Sequence, residues 1–259
     1  MVRFFAVLFA AALVGCGSRP ATVQSYDAGA VPAGAVGDLV KFGHQIIVNT
    51  RKELPGRVVA RMDCAACHLE GGTKPRGGSF VGIYAQFPQW NARAKRVISL
   101  QDRLTECFLY SMNGYPPAYN SRAMEAMVAY IAYLSRGTPV GASPDPAARF
   151  TSFKPLAGDL HRGAQIFTEQ CESCHGANGA GKTREYPPLW GPSSFNDGAG
   201  MAKASRMAGF VKYNMPANAP GTLSDQEASD VTAFVLSHAR PHFNRARLVR
   251  YPAVRAGYF

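Results

Sequence analysis

The pattern Cys-x-x-Cys-His occurs at residues 64–68 and again at residues 171–175. It is typical of c-type haem attachment, in which two thiols bond the porphyrin and the histidine ligates the iron. Zinc sites and thioredoxin-like redox sites use related patterns. However, zinc needs a compact four-ligand cluster, and a redox cysteine pair has no need of the following histidine. Two copies about one small domain apart therefore predict two covalently bound haems c. The predicted attachment residues are Cys64, Cys67 and His68 in the first copy and Cys171, Cys174 and His175 in the second.

The N-terminus indicates export. An apolar run over residues 4–14 follows Arg3 and is too short to span a bilayer. It ends in Leu-Val-Gly-Cys at residues 13–16, which resembles a bacterial lipobox. We therefore predict a signal peptide over residues 1–15, lipidation of Cys16, and a periplasmic, membrane-anchored protein. An ordinary signal peptide followed by an incidental cysteine is the alternative.

Charge and cysteine count add two constraints. The formal net charge of +11 favours small anions or acidic redox partners, whereas an exported haem protein is not expected to bind nucleic acid. A basic tail over residues 241–259 contains no acidic residue and would also suit an anionic lipid surface. Of the six cysteines, lipid and haem account for all but Cys107. An unpaired thiol in an exported protein points to a special role.

An internal repeat divides the chain. Gly-Asp-Leu at residues 37–39 recurs at residues 158–160, and Gly-x-Gln-Ile at residues 43–46 recurs at residues 163–166. Each copy opens a helix shortly before a haem motif. Each half closes with an apolar helix, over residues 122–135 and 225–238, and Ser224 and Glu227 are spaced as a helix-capping box at the start of the second. This arrangement resembles class I cytochromes c, and it predicts an all-α protein with two such haem domains in tandem. The predicted segments are a lipidated tether at 16–36, haem domains at 37–137 and 158–240, and a linker at 138–157.

Each haem iron needs a second axial ligand. In the second half, Asn-Met-Pro at residues 214–216 resembles the Met-Pro loop of class I cytochromes c, which makes Met215 the candidate. Met201 and Met207 are rivals, unless they pack in the core. Methionine and histidine ligation raises the reduction potential, which suits an electron exit.

In the first half, Cys107 is the candidate ligand. Ser99 and Asp102 are spaced as a helix-capping box, and the helix that follows carries Arg103, Cys107 and Ser111 on one face. A nearby cation favours the thiolate, which is both the metal-binding and the nucleophilic form of cysteine. A buried structural cysteine beside a surface arginine is the alternative. Met112, Met124 and Met127 also follow the motif, but the last two lie on the apolar stripe of the closing helix.

The first half resembles the dihaem thiosulfate dehydrogenase family. The matching segments are residues 64–70, Phe-Pro-Gln-Trp at 87–90, Arg93, residues 103–108, and Ser-Met-Asn-Gly at 111–114. The second half adds Pro-Leu-Trp-Gly at 188–191, residues 196–201 and residues 214–216. The first half is also similar to the Cys-ligated haem subunit of the sulfur-oxidising multienzyme system.

This resemblance implies histidine and cysteine ligation at the active haem. It also implies that two thiosulfates are joined into tetrathionate with the loss of two electrons, which pass to an external small cytochrome or high-potential iron-sulfur protein. By position, Arg93, Arg103 and Ser111 correspond to the family's substrate-binding residues, and Cys107 to its nucleophile. Arginines suit this chemistry, because two dianions must approach each other against their repulsion.

The chain departs from the family pattern at three places. Tyr110 stands where a basic residue is expected before Ser111, and Asn214 stands where some relatives have a ligand-switching lysine. The basic tail has no assignable counterpart.

Two other functions stay open on the sequence. One is a membrane-tethered dihaem electron carrier without its own substrate, and the other is Cys-linked sulfur transfer to a carrier protein. Arg93 and Arg103 favour the enzyme, because a carrier has no need of an anion pocket. The direction of the reaction is also left open.

Overall fold

The structure is a computed structural model that describes residues 25–143, 153–183 and 185–251. The predicted signal peptide, the lipidation site Cys16, the centre of the linker and the end of the basic tail lie outside these residues. No helix among the described residues is both long enough and apolar enough to cross a bilayer.

The first domain is mostly helical. Its helices are α1 (Ala35–Val48), α2 (Thr50–Glu53), α3 (Leu69–Gly72), α4 (Leu100–Glu106) and α5 (Arg122–Leu134). Short 3-10 turns cover Cys64–Ala66 and Tyr84–Gln86, and a π-turn covers Cys107–Ser111. A small antiparallel hairpin pairs β1 (Gln89–Asn91) with β2 (Arg96–Ile98). The predicted all-α fold is confirmed apart from this hairpin.

The second domain contains α6 (Leu160–Gln170), α7 (Glu172–His175), α8 (Ala204–Asn214) and α9 (Asp225–Ser237), with a 3-10 turn at Gly200–Ala202. Both predicted capping boxes are present. Ser99 and Asp102 begin α4, and Ser224 and Glu227 begin α9. A last 3-10 turn, Arg245–Arg250, follows α9.

Each domain packs its first long helix closely against its last. A Cβ atom on Gly43 of α1 would lie 2.0 Å from the carbonyl oxygen of Ala126 in α5. A Cβ atom on Gly163 of α6 would lie 2.2 Å from the carbonyl oxygen of Asp230 in α9. Neither distance leaves room for a side chain, so the shared glycine of the repeat is what lets both helix pairs approach.

The two domains share one apolar cluster. Its first-domain members are Ala60, Met62 and Met112, and its second-domain members include Ile166, Phe195 and Met207. Cys64 of the first haem motif and Cys171 of the second both pack against this cluster. Polar contacts join the domains as well, since the Arg61 amide donates to the Ser193 carbonyl at 2.7 Å. The two motifs therefore lie against one continuous core.

Candidate active site

The first haem motif is held by buried polar contacts from α2. The Cys64 amide donates to the hydroxyl oxygen of Thr50 at 2.9 Å, and that hydroxyl donates to the Cys64 sulfur at 3.2 Å. Thr50 is fully buried. The carboxylate of neighbouring Asp63 accepts from the Arg51 amide at 2.8 Å. These contacts fix where the chain enters the motif.

His68 is oriented by its ring nitrogen Nδ1, which lies 2.6 Å from the Gly78 carbonyl oxygen. Because a carbonyl can only accept, Nδ1 carries the proton and the lone pair of the neutral ring is on Nε2. The ring stacks on Phe80 with centroids 4.3 Å apart. Burial, with smaller contributions from Arg103 and Arg206, lowers the pKa of His68 to about 4. A neutral imidazole with its lone pair on Nε2 is the form that ligates a metal.

The second motif repeats this arrangement. The His175 amide donates to the Cys171 carbonyl at 2.9 Å, and Nδ1 of His175 lies 3.0 Å from the Pro187 carbonyl. Burial lowers the pKa of His175, so this ring is neutral as well. In both motifs, two free thiols precede a histidine whose Nδ1–H is bound to backbone. The donor sets therefore fit two c-type haems, each held by two cysteine sulfurs and one histidine Nε2.

Cys107 lies close enough to the first haem motif for its charge to act on Cys64 and Cys67. Burial raises the pKa of Cys67 to about 12, and the charge of Cys107 adds to that shift. The charge of Cys107 is also the main reason why the pKa of the Arg103 guanidinium is raised. The charge of Arg103 in turn contributes to lowering the pKa of His68. The structure therefore brings Cys107 and Arg103 together beside the predicted first haem, as the i, i+4 spacing implied.

Arg103 is held in place by Glu106, a residue that the sequence did not single out. Nη1 of Arg103 donates to Oε2 of Glu106 at 2.9 Å. The Glu106 side chain is 1% exposed, whereas that of Arg103 is 48% exposed. Asn91 on β1 donates to both carboxylate oxygens, at 3.1 and 3.0 Å. Glu106 therefore anchors one end of the guanidinium while the rest stays accessible.

The helix that carries Cys107 is not continuous. After Glu106 it widens into the π-turn Cys107–Ser111, in which the Met112 amide donates to the Cys107 carbonyl at 3.0 Å. Such single π-turns within helices are rare and are frequent at functional sites. The segment is therefore helical from Arg103 to Ser111, but it is a π-turn and not a regular α-helix from Cys107 onwards. Ser111 ends the π-turn and is half-buried.

Arg93 lies in the turn between β1 and β2. Its guanidinium stacks over the Tyr110 ring at 4.0 Å and donates to the Gly198 carbonyl of the second domain at 3.1 Å. Tyr110 thus fills the position where a basic residue was expected. Arg93 therefore contacts Tyr110 of its own domain and Gly198 of the second domain, and its role in substrate binding stays a prediction.

Arg206, on α8 of the second domain, is a further cation at this site. Its charge contributes to lowering the pKa of His68. Burial, and then the charge of Arg103, lower the pKa of Arg206 itself. Two arginines from different domains therefore approach the first haem motif. No sequence pattern pointed to Arg206, because it follows the second haem motif and only the domain packing brings it here.

Of the candidate second-haem ligands, Met215 directly follows α8 and precedes Pro216. Its rival Met207 is 4% exposed and belongs to the shared apolar cluster, against which Met201 also packs. Asn214 is not a candidate ligand, since its Nδ2 donates to the carbonyls of Arg76 and Phe210, each at 3.1 Å. Ligation by Met215 stays a prediction.

Comparison with known proteins finds one cytochrome c profile around each haem motif. The profile of the SoxA/TsdA cytochrome c domain matches residues 57–140, and the cytochrome c profile matches residues 160–239. Two cytochrome c domains imply two covalently attached haems.

Similar proteins cover most of the chain. The chain is 39% identical to a thiosulfate dehydrogenase of Allochromatium vinosum, over 91% of its own length and 92% of that protein. It is 40% identical to a thiosulfate dehydrogenase of Stutzerimonas stutzeri, over 82% and 70% of the two lengths. The solved thiosulfate dehydrogenase TsdBA of Marichromatium purpuratum superposes with a TM-score of 0.79 at 32% identity, over 86% of this chain and 50% of that one. The chain belongs to the thiosulfate dehydrogenase family.

Proposed function

We propose that this protein is a dihaem c-type oxidoreductase that joins two thiosulfates into tetrathionate and releases two electrons. Thiosulfate oxidation by a dihaem cytochrome is the activity that the names of its relatives indicate. The observation that carries the proposal is the guanidinium of Arg103, which lies beside Cys107 at the first haem motif and is anchored by buried Glu106.

The arginines at this site would offset the electrostatic repulsion between the two substrate molecules. Two thiosulfate dianions must bring their outer sulfurs into bonding distance, and at close range their repulsion is large in a partly buried site. Arg103 and Arg206 lie at the first haem motif, and guanidinium groups match the oxygens of a sulfonate end in pairs. A carrier that only exchanges electrons has no need of such a pair of cations.

Cys107 is the nucleophile of the proposed reaction and the resting ligand of the first iron. Its thiolate forms a sulfur-sulfur bond with the outer sulfur of one thiosulfate, giving a Cys–S–S–SO₃⁻ adduct and releasing two electrons. The outer sulfur of a second thiosulfate attacks the adduct at the sulfur atom that lies between the Cys107 sulfur and the sulfonate group. The Cys107–sulfur bond then breaks, tetrathionate leaves, and the thiolate is restored. Charge balances in both steps, and no proton is taken up or released.

The haems, when bound, supply two one-electron acceptors for this oxidation. Cys64 and Ala66 of the first motif and Cys171 of the second pack against one apolar cluster, which supports direct passage of electrons between the domains. Met215 is the proposed second ligand of the exit haem.

The test is an assay of the purified holoprotein with thiosulfate and ferricyanide, in which tetrathionate is quantified. We expect tetrathionate from the wild type and none from Cys107→Gly, while a haem stain shows that both haems remain. Mass spectrometry of substrate-treated wild type should find a sulfur adduct on Cys107. An active Cys107→Gly protein would contradict the mechanism and favour the electron-carrier function. Reduction of tetrathionate by reduced methyl viologen tests the opposite direction.

We further propose that the protein is exported and anchored to a membrane through lipidated Cys16, which lies outside the described residues. Cys16→Ser should release the protein from the membrane fraction into the soluble periplasm. If the variant stays in the membrane fraction, the anchor is elsewhere.

The proposed electron acceptor is an external small cytochrome or high-potential iron-sulfur protein with an acidic face. The net charge of +11 supports an acidic partner. The rate of acceptor reduction should then fall as salt is added, because salt screens electrostatic steering. A rate that does not depend on salt would argue against an acidic partner.

A further inference from the structure

The chain does not end at α9, and the residues that follow it return to the first domain. We call residues 240–251 the C-terminal strap. This strap is the described part of the basic tail for which the sequence offered no role. It begins on the second domain and ends against the segment that carries Cys107.

The strap is fastened to the second domain at its start. The Arg240 guanidinium donates to the carbonyls of Leu189 and Val235, at 3.2 and 2.8 Å. The Asp197 carboxylate then takes two contacts from the strap, one from the Phe243 amide at 2.7 Å and one from Nδ1 of His242 at 2.7 Å. The start of the strap therefore has a fixed position on the second domain.

Beyond Phe243 the strap packs on the π-turn. The Phe243 ring lies 4.3 Å from the Tyr110 ring, centroid to centroid. Leu248 and Tyr251 pack against the same small cluster, which is formed by Leu109 and Tyr110. Leu109 is fully buried. The aromatic residue at position 110 and the added tail, two departures from the family pattern, are thus parts of one contact.

Arg247 binds the strap to Asn113, which lies just after the π-turn. Its Nη1 donates to the Asn113 carbonyl at 2.8 Å and to the Asn113 side-chain oxygen at 3.1 Å. Asn113 follows the π-turn and has a φ of +47°, in the left-handed region that is strained for most residues. The Arg247 guanidinium also lies 4.7 Å from the centre of the Tyr115 ring.

A π-turn needs such support. Widening a helix by one residue gives up regular hydrogen bonds, and the displaced carbonyls need other partners. The second domain supplies one of these partners, because Nδ2 of fully buried Asn196 donates to the Leu109 carbonyl at 3.0 Å. The strap supplies side-chain packing and the Arg247 contact. The π-turn is therefore held from the second domain and the strap together.

From this geometry we propose that the C-terminal strap positions Cys107 and Ser111 for the reaction, with Arg247 as its main positioning residue. The strap contacts Leu109, Tyr110 and Asn113. These three residues lie between and just after Cys107 and Ser111 in the chain, so the strap holds this segment against the second domain. The proposal rests on the proposed function of Cys107. Its direct claim, that Arg247 fixes the Cys107 segment, can be measured without turnover.

The test compares Arg247→Ala with Arg245→Ala. Arg245 is an exposed neighbour on the strap, so both variants lose the same charge, but only Arg247 contacts Asn113. In Arg247→Ala holoprotein, we expect iodoacetamide to alkylate Cys107 several times faster. We also expect the electron paramagnetic resonance signal of the thiolate-ligated haem to broaden or split. Since small misplacements at an active site cost up to about a hundredfold in rate, kcat should fall roughly tenfold, with little change in KM. Arg245→Ala should match the wild type in all of these measurements.

Conservative variants separate positioning from a loss of folding. Arg247→Lys keeps the charge and one donor, so it should restore most of the wild-type alkylation rate. Phe243→Leu keeps apolar packing but removes the ring contact with Tyr110, and it should show a weaker form of the Arg247→Ala effect. If Arg247→Ala does not fold, Phe243→Leu decides the question. Wild-type alkylation and resonance signals in Arg247→Ala, or in Phe243→Leu when Arg247→Ala does not fold, would overturn the proposal. Absence of tetrathionate from the wild type would instead overturn the proposed function and leave the alkylation test valid.

Discussion

Glu106→Gln should impair thiosulfate binding although Glu106 itself is buried away from solvent. The amide has the shape of the carboxylate, but it carries an NH₂ group where an oxygen stood. Both carboxylate oxygens now face donors, from Arg103 at 2.9 Å and from Asn91 at 3.0 and 3.1 Å. In the variant, the amide oxygen can still face Arg103, but the NH₂ group then takes the Oε1 position and meets the Asn91 donor. The Arg103 guanidinium keeps a neutral acceptor but loses the buried negative charge that anchors it beside Cys107.

The size of the effect follows from the exposure of the two partners. A hydrogen bond to a charged group contributes about 1.5–3 kcal/mol. Because the Arg103 side chain is 48% exposed, solvent compensates part of its lost interaction, and we expect about 1–2 kcal/mol. That free energy corresponds to a roughly 5- to 30-fold loss. The loss should appear in kcat/KM for thiosulfate, mainly as a higher KM.

The assay is steady-state oxidation of thiosulfate at saturating ferricyanide. Glu125→Gln is the matched control, since it makes the same chemical change at an exposed position on α5 of the same domain. A double mutant gives the sharper test. If Glu106 acts through Arg103, then adding Glu106→Gln to Arg103→Ala should cost little more. Unchanged kcat/KM in Glu106→Gln, or fully additive losses in the double mutant, would refute the reasoning.

Three further predictions concern the second domain. Arg206→Ala should raise KM for thiosulfate about tenfold through the loss of one charge-assisted contact, and Arg206→Lys should recover part of it; wild-type kinetics in Arg206→Ala would remove this residue from the site. Met215→Gly should abolish the methionine-to-iron charge-transfer absorption band of the second haem, and a surviving band would make Met201 or Met207 the ligand. Gly163→Ala should lower the free energy of unfolding by about 1–3 kcal/mol in a denaturant titration, because its Cβ would meet the Asp230 carbonyl at 2.2 Å; an unchanged midpoint would contradict the close helix packing.

Local patterns in the sequence determined much of this protein. Covalent haem attachment depends on a contiguous five-residue motif, so both sites could be predicted from their letters. The capping boxes at Ser99 and Ser224 were equally local, because both partners stand within one helical turn. Cys107 was found by elimination, as the one cysteine without another use. The repeat predicted two similar domains. Gly43 and Gly163 recur in it because a Cβ at either position would clash with the last helix of its domain.

What the sequence could not predict depends on contacts between distant segments. A regular α-helix was the natural expectation from Arg103 to Ser111, since the spacing of the residues carries no mark of a π-turn. The π-turn exists where Asn196 and the C-terminal strap meet the segment, and these partners come from the other domain and from the chain's end. Burial of Glu106 likewise depends on the hairpin that brings Asn91 to it.

The chemistry of the site was likewise predicted only in part, because some of its groups come from distant segments. The sequence determined which groups carry it, namely two haem-binding motifs, a remaining thiol and a neighbouring arginine. Only the tertiary structure decided which other cations lie near the first haem motif, because charge acts through space and not along the chain. It brought Arg206 across from the second domain and gave Arg93 contacts with Tyr110 and Gly198.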